Sequence, residues 1–295
     1  MPNQHAADTA VLIPSYQPDE KLPPYVASLA DAGFARVVVV DDGSGEAYDE
    51  IFQSLTENGA GDRVHVIRYL PNRGKGCALR AGMRYLLDEC PACRFVLTAD
   101  SDGQHTVPDV LRMADVLHED GAGLLLGSRD FTQENVPKKS RMGNRITTVV
   151  FRTLYGQLVT DTQTGLRGFE RPLLKRFLET KGDRYEYEMN QLIDCSIDGI
   201  PIRALPIETV YENNNESSHF HPVKDSWRIY RVILSRFVKF IAASLICFLV
   251  DYGLYLLLNN LFRTHVPALN GYIGILSLRF IARVGLAAVL ARMVS

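Results

Sequence analysis

Five short apolar runs, each except the last followed by a helix-like stretch, restrict the architecture of this chain more than any other feature. The runs are AVLIP (10–14), RVVVVD (36–41), VHVIR (64–68), RFVLTA (94–99) and LLLGS (124–128). Helices are predicted near 22–32, 46–57, 76–89 and 107–119. Apolar strands alternating with helices predict an α/β fold, a mostly parallel sheet with helices on both faces. Ligands of such sheets bind outside the carboxyl ends of the strands. The residues at those ends are therefore the candidates for function.

The first run ends in Pro14-Ser15-Tyr16 and the second in Asp41-Asp42-Gly43-Ser44. The fourth ends in Asp100-Ser101-Asp102-Gly103-Gln104-His105, and the fifth in Gly127-Ser128-Arg129. Residues two apart in extended chain point the same way, so Asp100 and Asp102 can reach one point beyond the strand. With the Gln104 carbonyl they form a hard-oxygen set suited to Mg²⁺ or Mn²⁺, completed by phosphate oxygens and water. A solvated acidic turn is the plainer alternative. Asp41 and Asp42 are placed to accept hydrogen bonds from a base or ribose; alternatively, Ser44 and Asp42 cap the next helix. Asn72-Arg73-Gly74-Lys75-Gly76 opens a helix with glycines and two cations, a pattern that can meet phosphate but lacks P-loop spacing. Arg129 and Arg141 could clamp a diphosphate or be ordinary surface arginines.

Downstream come a helical stretch at about 140–157, the segment DTQTGLRGF (161–169), an acidic helix opening at Glu186 and Glu188, and an extended run at 200–211. Residues 212–225 are polar and turn-rich. Of the 32 Lys/Arg and 34 Asp/Glu in the chain, only nine cations and two anions lie from Pro222 onward, so an acidic body carries a basic, apolar tail. That pairing suggests a lipid bilayer rather than nucleic acid. Trp227, Tyr230, Leu234, Phe237 and Ile241 fall at helical spacing, predicting an interfacial helix over 223–239. FIAASLICFLVDYGLYLLL (240–258) is long enough to cross a hydrocarbon core of about 30 Å. A second, weaker span is predicted within 266–291, where Arg279 and Arg283 interrupt the apolar run. The start, MPNQHAADTA, has neither a basic nor an apolar region, so no cleaved signal peptide is expected. The five cysteines are odd in number, and the lone Cys90-x-x-Cys93 lacks further zinc ligands, which favours reduced thiols.

Taken together, VLIPSYQP, VVVVDDGS, NRGKGCALRAG and TADSDGQH resemble the strand-end motifs of glycosyltransferase family 2 over roughly residues 10–225. GSR (127–129), DTQTGLRGF, RYEYEMN (184–190) and SSHFHPVKDSWRIY (217–230) are similar to its polyprenyl-phosphate branch, the branch of dolichol-phosphate mannose synthase. The resemblance implies a GT-A fold, Rossmann-like, in a catalytic domain over 1–222. It implies a divalent cation (Mg²⁺ or Mn²⁺), a UDP- or GDP-sugar donor and a polyprenyl phosphate acceptor. Pro14, Tyr16, Asp41 and Asp42 would lie at the nucleoside, and Asp100, Asp102 and Gln104 at the metal. Arg129 and Arg141 would lie near the diphosphate, with Lys75 as a further phosphate contact. Asp100, Asp102 and Arg129 are the expected catalytic residues. The tail over 240–295 resembles the start of a GtrA-like membrane domain. The expected location is the cytoplasmic membrane with the catalytic domain facing the cytoplasm, and a homo-oligomer is left open.

The acceptor sets the mechanism. A sugar hydroxyl needs a general base, for which Glu186, Glu188 and His105 are candidates. A lipid phosphate is already anionic near neutral pH and needs none. The Q-x-x-R-W element of processive synthases is absent, which points to transfer of a single sugar. A nucleotidyltransferase would open with a glycine-rich basic loop where this chain has PSYQPDEK. A membrane-anchored binding protein would not need Asp100 and Asp102 together with Gln104.

Overall fold

The computed structural model describes residues 5–57, 61–121, 123–131, 138–208 and 222–265. The chain divides into two units, Met1–Ile233 and Leu234–Ser295. In the first unit the strands are β1 (Thr9–Ser15), β2 (Arg36–Asp42), β3 (Val64–Tyr69), β4 (Phe95–Thr98), β5 (Leu124–Arg129), β6 (Arg167–Glu170) and β7 (Ile202–Ile207). Its helices are α1 (Leu22–Asp31), α2 (Asp49–Glu57), α3 (Lys75–Glu89), α4 (Val107–Asp120), α5 (Lys138–Tyr155), α6 (Leu173–Glu179) and α7 (Glu186–Ile197).

The seven strands form one sheet in the order β3-β2-β1-β4-β6-β5-β7. Every pairing is parallel except those of β6, which runs antiparallel to both β4 and β5. Alternation along each strand divides the core in two. Ala10, Leu12, Val38, Val40 and Val96 join Leu79 and Met83 of α3 and Phe177 of α6 on one face. Val11, Ile13, Val37, Val39 and Leu97 join Val26 of α1, Phe52 of α2 and Met113 of α4 on the other. The strand order reverses at β1, so the crevice beyond β1 and β4 is where a ligand site is expected.

The five sequence-expected strands and four helices occur within two residues of their expected bounds, except that α2 starts three residues late, after a 3-10 turn at Glu46–Tyr48. The antiparallel β6 and the short α6 were not expected. β6 carries Arg167 and Gly168 where an apolar run would signal a strand, and its place depends on Gly168 fitting between neighbours. A Cβ there would meet Leu97 Cδ2 and Leu117 Cδ1 at 2.7 Å. The run at 200–211 supplies β7, a parallel edge partner of β5.

The tail begins with α8 (Pro222–His265), a single helix that continues through the position where an interfacial helix was expected to give way to a span. Tyr230–Leu257 within it is long and apolar enough to cross a membrane, with 6% of its most apolar window buried. Arg279 and Arg283, and the expected second span, lie outside the described residues, as does most of the 212–225 loop.

Candidate active site

The site begins where β1 ends. Pro14 lies past the last β1–β4 pair, Leu12 with Thr98, so its missing N–H leaves no ladder bond unmade on that side. Tyr16 is half-buried beyond it. At Gln17 the backbone turns with φ of 48°, and its N–H donates to Ser44 Oγ at 2.8 Å. That bond ties the β1 exit to the β2 exit.

At the end of β2 both carboxylates are buried and engaged. Asp41 accepts from the Ser44 N–H at 2.8 Å and from Arg68 Nε at 3.0 Å. Asp42 accepts from the Tyr69 hydroxyl at 2.8 Å, the Arg73 N–H at 2.9 Å and the Gly74 N–H at 2.7 Å. Gly43 sits directly under this turn, where a Cβ would come within 2.4 Å of Asn72 N. Asp42 therefore braces the loop that opens α3. Neither it nor Ser44 caps the following helical turn, Glu46–Tyr48, whose cap position is Gly45 and which has no side-chain cap bond.

Lys75 leads α3, and its side chain enters the protein. It pairs with Asp100 Oδ1 at 2.7 Å and with Glu188 Oε1 at 2.9 Å. Burial pulls its pKa down, but the two carboxylates outweigh this and hold the ammonium above its ordinary value. Burial likewise pushes Asp100 up, yet the positive charge of Lys75, with Arg129 behind it, holds the carboxyl below the usual range. Asp102 behaves oppositely. Burial first, then the charge of Asp100, pushes it up to about 6. The Gln104 N–H donates to Asp102 Oδ1 at 3.1 Å.

His105 is buried, and its Nδ1 accepts from the Asp100 N–H at 3.0 Å. Burial lowers its pKa, which fits a neutral ring bracing the turn. Glu186 is also committed, its Oε1 accepting from the Asp183 and Arg184 N–H groups at the start of α7.

The segment before β6 closes the site from the other side. Gly165 lies against Asp100, where a Cβ would sit 2.3 Å from Oδ2, and its carbonyl accepts from Thr98 Oγ1 at 2.7 Å. Asp161, fully buried, accepts from Arg129 Nε at 2.8 Å and Nη2 at 3.1 Å. Arg167 is buried, donating to the carbonyls of Thr164 and Glu188 at 2.9 and 2.7 Å. Asp161 and Gly165 were read only as parts of a family motif and Glu188 only as a base candidate. Their partners lie 32, 65 and 113 residues away, beyond the reach of local spacing.

Asp100, Asp102, Lys75, His105 and Arg129 thus share one electrostatic cluster. Arg141 is elsewhere, exposed on α5 at a cavity of about 430 Å³ lined also by Phe131, Asn144, Arg145, Thr148 and Thr160. Thr160 reaches back toward the cluster, its hydroxyl 2.8 Å from Ser128 Oγ and its neighbour Asp161 holding Arg129. Asn144 Oδ1 and Thr148 Oγ1 are buried in this region without a protein partner.

The donor set fits a hard divalent cation. Lys75 serves Asp100 and Glu188, whereas among the described residues no cation is ion-paired to Asp102, whose pKa is pushed up by burial first and by the charge of Asp100 second. Among the described residues no group of three or more His, Cys, Asp or Glu is set to hold a metal alone. Asp100 and Asp102 would need outside oxygens to complete a shell, and a diphosphate and water provide them.

Comparison with known proteins agrees with this geometry. Residues 10–178 match the family Glycosyl transferase family 2. A UDP-N-acetylglucosamine–dolichyl-phosphate N-acetylglucosaminyltransferase of Methanococcus voltae is 27% identical over 215 residues, 68% of this chain and 85% of that one. A dolichyl-phosphate beta-glucosyltransferase of Dictyostelium discoideum is 24% identical over 249 residues, 76% of this chain and 75% of that one. The crystal structure of glucosyl-3-phosphoglycerate synthase from Mycobacterium tuberculosis shares the fold, with a TM-score of 0.51 at 18% identity over 77% of this chain and 79% of that one. The sheet with its strand-end carboxylates is thus that of a GT-A sugar-transferring enzyme. The chain belongs to glycosyl transferase family 2.

Proposed function

We propose that this enzyme transfers a single sugar from a UDP- or GDP-sugar to a polyprenyl phosphate at the bilayer, with Mg²⁺ or Mn²⁺ as its cation. The observation that carries this reading is the Asp100–Asp102 pair, in which Asp100 is paired with Lys75 and Asp102 has no ion pair among the described residues. Asp100, Asp102 and Gln104 would hold that cation. When bound it would supply charge neutralisation to the departing diphosphate. Pro14, Tyr16 and Asp41 are assigned to the nucleoside. Asp42 is assigned to the same region through the loop it braces.

Arg129, aligned by Asp161, and Arg141, at the α5 cavity, are assigned to phosphate oxygens. The acceptor phosphate attacks the anomeric carbon as the bond to the nucleoside diphosphate breaks, so the anion that leaves replaces the anion that arrives. No general base is needed. The commitments of His105 and Glu188 to structural bonds support this choice over a hydroxyl acceptor, while Glu186 keeps one buried oxygen, Oε2, without a protein partner. The dolichyl phosphate in the names of the relatives supports it independently. In this reading residues 1–222 form the catalytic domain on the cytoplasmic face, 223–239 lie in the interface, and 240–295 form the membrane segment with one or two spans.

The test is transfer from radiolabelled UDP- and GDP-sugars to a short polyprenyl phosphate, with Mn²⁺ or with chelator. Cation-dependent label in the lipid fraction is expected. Label appearing only in a water-soluble oligosaccharide would overturn the acceptor, and full turnover in chelator would overturn the cation.

A further inference from the structure

We propose that Tyr25 is a positioning residue for the cation site, its hydroxyl donating to the Asp102 carboxylate when the cation is bound. This rests on the cation reading above and adds a residue to it. Tyr25 stands in the first turn of α1 and is 9% exposed. β1 and β2 are parallel, so α1 between them runs back along the sheet and starts beside the carboxyl ends of the strands. That is the end at which β4 gives way to Asp100 and Asp102.

The face of the sheet matters as much as the end. Alternation puts Ser15 on the same face of β1 as Val11 and Ile13, which share a core cluster with Tyr25, Leu97 and Ala99. Helices α3 and α7, which carry Lys75 and Glu188, pack on the opposite face. Lys75 therefore reaches Asp100 from one side of the sheet, and Tyr25 stands on the other.

Tyr25 Oη and Ser15 Oγ are both buried without a hydrogen-bond partner among the described residues. A buried tyrosine hydroxyl ordinarily finds a partner, and one left unpaired costs free energy. Two such orphans on one face of one strand end call for a polar group that completes them. Burial first, then the charges of Asp100 and Asp102, push the Tyr25 pKa well above its ordinary value. The phenol thus keeps its proton, and the negative charge of both carboxylates reaches it. Asp100 is already served by Lys75 at 2.7 Å, whereas Asp102 accepts from the Gln104 N–H and has no ion pair among the described residues. Asp102 is therefore the assigned acceptor. A bond from Tyr25 would fix the orientation of that carboxylate, and outer donors of this kind set the affinity of a metal site.

The experiment compares the full chain in detergent with its Tyr25→Phe variant. Mn²⁺ binding is followed by the electron paramagnetic resonance of the free ion, in the presence of UDP or of GDP, and melting by calorimetry with and without Mn²⁺. Without the cation the variant is expected to melt no lower than the parent, since it loses an unpaired hydroxyl and keeps its ring. With the nucleotide that recruits Mn²⁺ to the parent, the variant is expected to bind the ion about tenfold more weakly. Its rise in melting temperature on adding Mn²⁺ should be smaller to match. Unchanged Mn²⁺ affinity in the variant overturns the inference and leaves the cation reading standing. A variant that melts lower without the cation also overturns it, because the hydroxyl would then hold the fold and not the site. A parent that binds no Mn²⁺ with either nucleotide overturns the cation reading, and this inference falls with it.

Discussion

Asp102 and Lys75 are opposite solutions to burying charge at one point. The folded pKa of Asp102, about 6, is above the ordinary carboxylate value of 3.8, so the native state holds this proton more tightly than the unfolded chain does. Its stabilising share is present below about pH 4 and is lost as pH rises through about 6. Asp102→Asn keeps the bond from Gln104 and removes the charge. The variant is expected to lose transfer but to be more stable than the parent at pH 8, by about 1 kcal/mol, with the gain shrinking as pH falls through 6 and vanishing below about pH 4. Differential scanning calorimetry without added cation checks this, and equal melting shifts at the two ends of that range would count against it. Lys75→Met leaves the buried Glu188 and the half-buried Asp100 without their ammonium, at a cost of about 3 kcal/mol near neutral pH. The Asp100 pKa should then rise, so this variant should regain stability on acidification from pH 8 to pH 5, as followed by urea denaturation. The acidic pair was legible in the sequence because both members sit two apart on one strand end. The bracing role of Asp42 was not, because its partners Tyr69, Arg73 and Gly74 arrive from a separate strand and helix.

At the scale of elements, β1 to β5 were legible because each is an apolar run bounded by turn residues, and burial on both faces demands that composition. β6 was hidden for the same reason reversed. It is four residues long, it contains a buried arginine, and its pairing is settled by β4 and β5 on either side. The segment leading into it also shapes the site, since Gly165 touches the Asp100 carboxylate. Gly165→Ala is expected to cost about 1–3 kcal/mol and to lower turnover, because the methyl group and the carboxylate cannot share the space. If the variant kept full turnover and an unchanged urea midpoint, Gly165 would not be in contact with the Asp100 side chain. The helix that carries the tail was legible from its apolar length, whereas the absence of a break at 239 was not, since the interfacial and apolar patterns are both helical.

Over the whole molecule, the acidic body and the basic tail set the expected topology. Five cations, Lys224, Arg228, Arg231, Arg236 and Lys239, precede the apolar stretch, within the distance over which the positive-inside bias acts. A cysteine introduced between 212 and 222 should resist a membrane-impermeant thiol reagent in intact cells and react after lysis. Labelling from outside would reverse the orientation.

The sheet order also has a consequence for synthesis. Among the described residues β5 pairs in the sheet with β6 and β7, and β6 links it to β4. As the chain leaves the ribosome, β3, β2, β1 and β4 can assemble as soon as residue 98 is free, but β5 then waits without a partner until residues 167–170 follow. During that interval the growing chain exposes one open edge on β4 and an entire unpaired apolar strand, both templates for pairing with another chain. A ribosome stalled between residues 130 and 165 would therefore release a fragment that aggregates, and a folding helper would be needed most during the making of α5.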